Sequence, residues 1–283
     1  MDKIVNFDTA GLFFDKNMSF LETNYYKHFY LLKMYQRIVD GEFKPLDWFN
    51  VVDGEHLIIC LCSEVGIYIY SESFSNEMID QLYQRIIRIR YTNIRFFGDK
   101  GALTQLFERF NIHFKIKKER VIYATTAVRI LKRKHLGQAV NSAIDDFDTL
   151  VQYSYDYILE EWGEREGRGI DYVQALVMQC IAKGALVQYD TTKGIGCIAQ
   201  VLNIEDNMPI IGSLYTPPTF RGNGYATMLV HAVTKKLLEN GYEQCGIISD
   251  ATNPYTNKMF KGIGFNPVSE HLELSCKDFF RTN

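Results

Sequence analysis

Between a strand-like run and a helix-like run lie Arg221, Gly222, Asn223, Gly224, Tyr225 and Ala226, residue types whose spacing suits the capture of an anion. The strand-like run, Pro209–Tyr215, is stopped by Pro217-Pro218, because proline cannot donate a ladder hydrogen bond. Past the glycines, Tyr225, Met228, Leu229, Ala232, Val233, Lys236 and Leu237 recur at helical spacing, and Asn240-Gly241 supplies a stop. The first turn of such a helix has N–H groups without intrahelical partners, and its aligned peptide dipoles place partial positive charge there. Two glycines let a diphosphate approach the main chain closely, and Arg221 can add charge-assisted hydrogen bonds. A second glycine pair, in Gly194-Ile195-Gly196-Cys197-Ile198-Ala199, mimics a dinucleotide fingerprint. That pattern needs a helix after it, whereas Cys197–Leu202 reads as strand.

The elements around this loop fall into two rounds. In the first, an aromatic-rich helix over Asn24–Val39 precedes strands at Trp48–Val52, His56–Cys62 and Gly66–Tyr70. A helix over Asn76–Arg90, a strand at Ile94–Phe97 and a helix over Gly101–Phe110 follow, then two strands near His113–Lys117 and Arg120–Thr125. The second round opens with helices over Ala139–Trp162 and Asp171–Lys183, then strands at Ala185–Tyr189, Ile195–Leu202 and Pro209–Tyr215. The helix over Gly224–Asn240, a strand at Gln244–Asp250, a short helix over Pro254–Lys261 and a strand at Pro267–Leu274 complete it. No residue-level repeat accompanies the shared order. It places an N-terminal domain at 1–125, a linker at 126–138 and a C-terminal domain at 139–283.

Composition removes several classes of function. Hydrophobic residues at 47% and charged residues at 23% are those of a soluble globular protein, and no apolar run is long enough to cross a bilayer. A net charge of −3 argues against nucleic acid as a partner, and the basic cluster Arg129–His135 reads as a solvated linker face. The N-terminal residues lack a secretion signal, so the expected location is the cytoplasm, with six reduced cysteines. Neither cysteines nor histidines stand at ligand spacing, and no metal is expected.

The loop also resembles a known family. Arg221-Gly222-Asn223-Gly224-Tyr225-Ala226 is similar to motif A of the GNAT acyltransferase superfamily, written Arg-Gly-x-Gly-x-(Gly/Ala). Asn253 to Phe265 resembles the family's motif B, Asn-(x)6-Tyr-(x)3-Gly-Phe, except that Phe260 stands at the tyrosine. Tyr215-Thr216-Pro217-Pro218 and Asn253-Pro254-x-x-Asn257 further resemble a bacterial group of predicted GNAT proteins. The likeness is specific over about Ile195–Phe265 and invisible in the residues of the first half. It implies an α/β (α+β) chain of two GNAT-like domains in tandem, each a mixed, mostly antiparallel sheet flanked by helices, the N-terminal one degenerate. The turn Ser71–Ser75 of that half has no glycine and carries Glu72 where phosphate would sit.

What the resemblance implies for function is acetyl-CoA as co-substrate and an N-acetyltransferase acting on a small-molecule or peptide amine, with a homodimer left open. The diphosphate would rest on Arg221 to Ala226, and the pantetheine arm would bond to the backbone of Leu214, Tyr215 and Thr216. Asn253 would contact the cofactor, although Asn before Pro is also a strong helix N-cap. Phe260 occupies the cofactor-facing position of the usual general acid and cannot donate a proton; Tyr255, five residues earlier, lies off that face. No base is assigned, with Asp250, Glu160 and Glu161 as candidates. Two alternatives stand: an acyl-CoA sensor or interaction module with little turnover, which Phe260 favours, and transfer of a larger acyl or aminoacyl group.

Overall fold

The structure is a computed structural model that describes residues 3–89, 94–110, 114–131, 137–163, 169–204 and 206–276. In chain order the strands are β1 (Lys3–Asn6), β2 (Pro45–Asp53), β3 (His56–Ser63), β4 (Ile67–Ser73), β5 (Ile94–Asp99) and β6 (Lys115–Thr125). They continue as β7 (Gly137–Asn141), β8 (Leu186–Thr191), β9 (Gly194–Leu202), β10 (Ile210–Tyr215), β11 (Cys245–Asp250) and β12 (Asn266–Cys276). The helices are α1 (Ala10–Thr23), α2 (Tyr25–Val39), α3 (Asn76–Ile86), α4 (Lys100–Phe110), α5 (Phe147–Trp162), α6 (Ile170–Ala182), α7 (Tyr225–Glu239) and α8 (Pro254–Ile263). The chain forms two compact units, one from residues 1–122, 250–252 and 268–283, the other from 123–249 and 253–267.

In the first unit β1, β2, β3 and β4 run antiparallel in that order, β4 pairs with β5 in parallel, and β12 lies antiparallel to β5. Strand alternation sends neighbouring residues of β3 to opposite faces. Ile59 and Leu61 join Phe13, Phe14, Leu21, Leu31 and Met34 of α1 and α2. Ile58, Cys60 and Cys62 join Met78, Ile79, Leu82 and Leu106 of α3 and α4. Both faces are covered, which is why β3 and β4 read as nearly unbroken apolar runs. Side chains set the helix starts: Thr9 accepts from Leu12 N at 3.1 Å and Asn24 from Lys27 N at 3.3 Å.

The second unit repeats the plan, with strand order β11-β10-β9-β8-β7, antiparallel except for the parallel pair β10–β11. Leu150, Val151 and Ile158 of α5 and Val173 and Val177 of α6 bury against Leu186, Ile198 and Tyr215. Each unit therefore has the mixed, mostly antiparallel sheet with flanking helices that the family resemblance implies.

Several boundaries differ from the sequence expectation. The helix expected to start at Ala139 begins at Phe147, because Ala139 and Val140 pair with Tyr189 and Gln188 as strand β7. The two strands expected near His113–Lys117 and Arg120–Thr125 are one, β6, in which Glu119 is ion-paired with Lys100. His113, Arg90 and the end of the basic cluster, Lys132–His135, lie outside the described residues. β1 and α1 were not anticipated. The largest difference concerns the end of the chain: β12, expected to finish the C-terminal domain, pairs with β5 from His271↔Asp99 to Cys276↔Ile94. Its Leu272, Leu274 and Cys276 join the core of the first unit, and the contact boundary falls after Ile122 rather than within 126–138.

All six cysteines are buried free thiols. Among the described residues no helix is long and apolar enough to cross a membrane, and no group of His, Cys, Asp or Glu could hold a metal ion.

Leu274 is 1% exposed, so Leu274→Ala should cost about 2–5 kcal/mol by urea unfolding. Hydrogen exchange should accelerate in β3–β5 while β8–β10 stay protected; acceleration confined to β8–β10 would contradict the placement of β12.

Candidate anion-binding site

The site is built where β10 leaves β11. β10 follows β9 in regular register through Gly212↔Gln200, then reaches Tyr215↔Ile198, so one extra residue is accommodated on β10. Ser213 absorbs the irregularity with φ 48°, an uncommon conformation for a residue with a Cβ, and its hydroxyl donates to Gln200 Oε1 at 2.9 Å. On its other side β10 pairs with β11 only at Ile210↔Gly246 and Ile211↔Ile247. Beyond Ile211 the two parallel strands share no further register.

The strand ends before Pro217-Pro218, as the double proline leads one to expect, and the chain then passes through one short 3-10 turn, Pro218–Phe220. Gly222 and Gly224 both adopt left-handed backbone, φ 78° and 81°, which glycine reaches without steric cost. Gly224 is the N-cap of α7, and no side chain caps that helix. Asn223 steadies the turn by donating from Nδ2 to the carbonyls of Phe220 and Arg221 at 3.1 and 3.2 Å. Arg221, Gly222 and Asn223 are exposed and Ala226 is half-buried. The result is an exposed helix N-terminus lined by glycine main chain.

Tyr225 is anchored by stacking on Tyr189, with ring centroids 5.7 Å apart. A Cβ at Gly196 would come within 2.9 Å of the Tyr225 ring, so the second glycine of the pair that mimics a dinucleotide motif serves this packing inside β9.

Arg221, although exposed, is engaged by the protein's own groups. Its Nη2 donates to both carboxylate oxygens of Glu160 at 2.6 and 2.8 Å, and its Nε donates to Thr216 O at 2.8 Å. Glu160 was considered only as a base; 61 residues separate it from Arg221, and nothing in the sequence indicates the pair. Both side chains are about half exposed, so the pair is weak and open to exchange with an incoming anion.

The other expected residues fall in different environments. Leu214 and Thr216 are half-buried at the end of β10 and after it. Tyr215 turns its ring into the core beside Tyr153, and burial, with Asp156 and Glu160 nearby, pushes its hydroxyl up, so only its main chain is offered to a ligand. Asn253 is the N-cap of α8: its Oδ1 accepts from Tyr255 N and Thr256 N at 3.1 and 3.2 Å. Phe260 is 2% exposed and packs on Phe265 and Tyr123. The phenol of Tyr123 stands beside it but donates to Asn257 Oδ1 at 3.1 Å. Tyr255 is 85% exposed on α8. Burial works to raise the carboxyl of Asp250, but hydrogen bonds from Thr252 and the charges of Arg120 and Lys118 outweigh it and hold the group below its ordinary value. A carboxylate so stabilised is a poor proton acceptor.

Residues 197–273, which contain β10, the loop and α8, match the FR47-like protein family. An acetyltransferase of the GNAT family from Colwellia psychrerythraea is 13% identical with TM-score 0.57, covering 96% of this chain and 98% of its own. A GCN5-related N-acetyltransferase from Sphaerobacter thermophilus is 12% identical with TM-score 0.55, covering 81% and 80%. A Drosophila protein is 10% identical with TM-score 0.57, covering 96% and 98%. No curated protein matches the chain in sequence. At these identities the likeness is one of fold: the chain has the fold of the GCN5-related N-acetyltransferases.

Because Glu160 occupies the guanidinium that faces the loop, Glu160→Gln should tighten binding of inorganic pyrophosphate about two- to fivefold at low salt, the range of an exposed ion pair. The gain should shrink as salt rises. A loss of affinity on calorimetry would instead show that Glu160 holds Arg221 in its binding pose.

Proposed function

We propose that this chain transfers an acyl group, an acetyl group in the first instance, from acyl-CoA to an amine. The observation that carries the reading is the left-handed Gly222 and Gly224 turn at the uncapped start of α7, set directly after a strand that has parted from its parallel neighbour. The FR47-like match and the GCN5-related N-acetyltransferase fold support it.

In this reading the main chain from Arg221 to Ala226 holds the diphosphate of CoA, with partial positive charge from α7 behind it. The backbone of Leu214, Tyr215 and Thr216 orients the pantetheine arm, because the β10–β11 ladder ends at Ile211↔Ile247. Bound acyl-CoA supplies an activated thioester. An alkyl amine has a pKa of about 10.4, so the acceptor must lose a proton before it attacks, and a main-chain N–H near the strand end must stabilise the developing oxyanion.

Phe260 sets the character of the last step. Its buried ring excludes water but has no proton for the departing thiolate, and neither Tyr255, on the surface, nor Tyr123, bonded to Asn257, stands in for it. A thiolate leaves without an acid, at a rate lower by roughly the 10²–10⁴ that general acid catalysis contributes. The acceptor is a small-molecule or peptide amine.

Two measurements test the reading. Gly222 has φ 78° with open space around it, so Gly222→Glu should leave the circular dichroism spectrum intact while abolishing calorimetric CoA binding by charge and local strain. Unaltered affinity would remove the cofactor assignment. Phe260→Tyr should raise the rate of thiol release from acetyl-CoA across an amine panel by about tenfold or more. CoA binding with no release by either protein would identify a sensor instead of an enzyme.

A further inference from the structure

We propose that the first unit carries a ligand site of its own, a cavity of about 690 Å³ at the carboxyl ends of β4 and β5 that takes a neutral polyhydroxylated molecule of sugar size. This proposal is independent of the acyl-transfer reading. The two strands are the parallel pair of that unit, in register from Ile67↔Phe96 to Ile69↔Gly98, and α3 and α4 begin just beyond their ends. Crevices outside the carboxyl ends of parallel strands are where open α/β sheets bind small molecules. The volume lies within the usual range of small-molecule sites, roughly 300–1,000 Å³.

The lining decides the ligand class. It contains two lysines and two acids, Lys27, Lys100, Asp99 and Glu270, and both lysines are already matched by the protein's own groups. The ammonium of Lys27, 7% exposed, donates to Ser71 O at 2.6 Å and lies 3.1 Å from Glu72 and 3.8 Å from Asp99. Lys100 is ion-paired with Glu119 and, at 2.8 Å, with Glu270. A bare phosphate would have to break one of these pairs to reach either lysine, two of the pairs involve a buried cation, and breaking a buried pair is costly.

Uncharged hydrogen-bonding groups complete the wall. Arg109 donates from Nη2 to Asn76 Oδ1 and from Nη1 to Gln105 Oε1, both at 3.0 Å. With their carbonyl oxygens engaged, the two amides offer their NH₂ groups as donors. Asp99 accepts from Ala102 N on Oδ1 at 3.2 Å, and its Oδ2, 3.8 Å from the Lys27 ammonium, keeps a lone pair for a hydroxyl donor. The hydroxyls of Thr104 and Ser269 can do either, and the half-buried ring of Phe74 offers an apolar face. Donors and acceptors interleaved without net charge match hydroxyl groups, each of which donates and accepts.

The test is ligand-observed NMR on the full chain with a panel of mono- and disaccharides and linear polyols, beside inorganic phosphate, acetate and a simple diamine as charged controls. Selective saturation transfer to a subset of the sugars, with none to the charged controls, is the expected result. Thr104 is exposed on α4, so Thr104→Trp should fill the cavity, weaken that binding at least about tenfold, and leave both the melting temperature and CoA affinity unchanged. No transfer from any sugar at roughly 10 mM, a weak limit for this class, overturns the proposal. So does stronger transfer from a charged control, or sugar binding that survives Thr104→Trp in a folded protein.

Discussion

Two parallel strands in register only at Ile210↔Gly246 and Ile211↔Ile247 leave the rest of β10 without a partner strand on that side. Buried or half-buried peptide groups need partners, so such an opening is costly to leave dry and well suited to a ligand that carries amides of its own. The extra residue between Gly212 and Tyr215 produces the divergence locally, with Ser213 held at φ 48° and tied by its hydroxyl to Gln200 on β9. The double proline that follows prevents the ladder from resuming. Everything downstream inherits its position from this departure: the glycine turn, the uncapped start of α7 and the reach of Arg221 back to Thr216 O.

Charge at the loop is balanced rather than simply positive. The helix dipole and Arg221 attract an anion, while Glu160 from α5 holds the guanidinium in a bidentate pair. Because both partners are about half exposed, exchange of the carboxylate for a phosphate involves little desolvation. The corresponding turn of the first unit is of another kind. α3 is capped by Ser75 and carries Glu77 in its first turn, so it repels what α7 attracts, and the ion pairs of Lys27 and Lys100 neutralise the cavity beside it.

What the sequence disclosed follows from how local each determinant is. The glycine turn, the proline stop, the α7 stripe and the Asn253 cap depend on residues within a turn or two, and they lie where the spacing put them. Gly212 inside a strand is a sequence signal for the bulge, whereas a serine in left-handed backbone has no sequence signature. Ala139 and Val140 continued the apolar spacing of the following helix, and only pairing with β8 shows them to be strand. The Glu160–Arg221 pair and the return of β12 to β5 are non-local choices that no periodicity encodes. Phe260 was legible as a residue type, but its burial against Tyr123 was not.

The central claim is that a diphosphate rests on the main chain at the start of α7 while the arm behind it lies along β10. A titration of the isotopically labelled chain with CoA, followed by amide NMR, tests this residue by residue. The account predicts saturable shifts at Gly222, Asn223, Gly224, Tyr225 and Ala226 and at Leu214, Tyr215 and Thr216, with Ser73 to Asn76 of the first unit unmoved. Shifts that leave Gly222 to Ala226 untouched, or that gather at Ser73 to Asn76 instead, would contradict it.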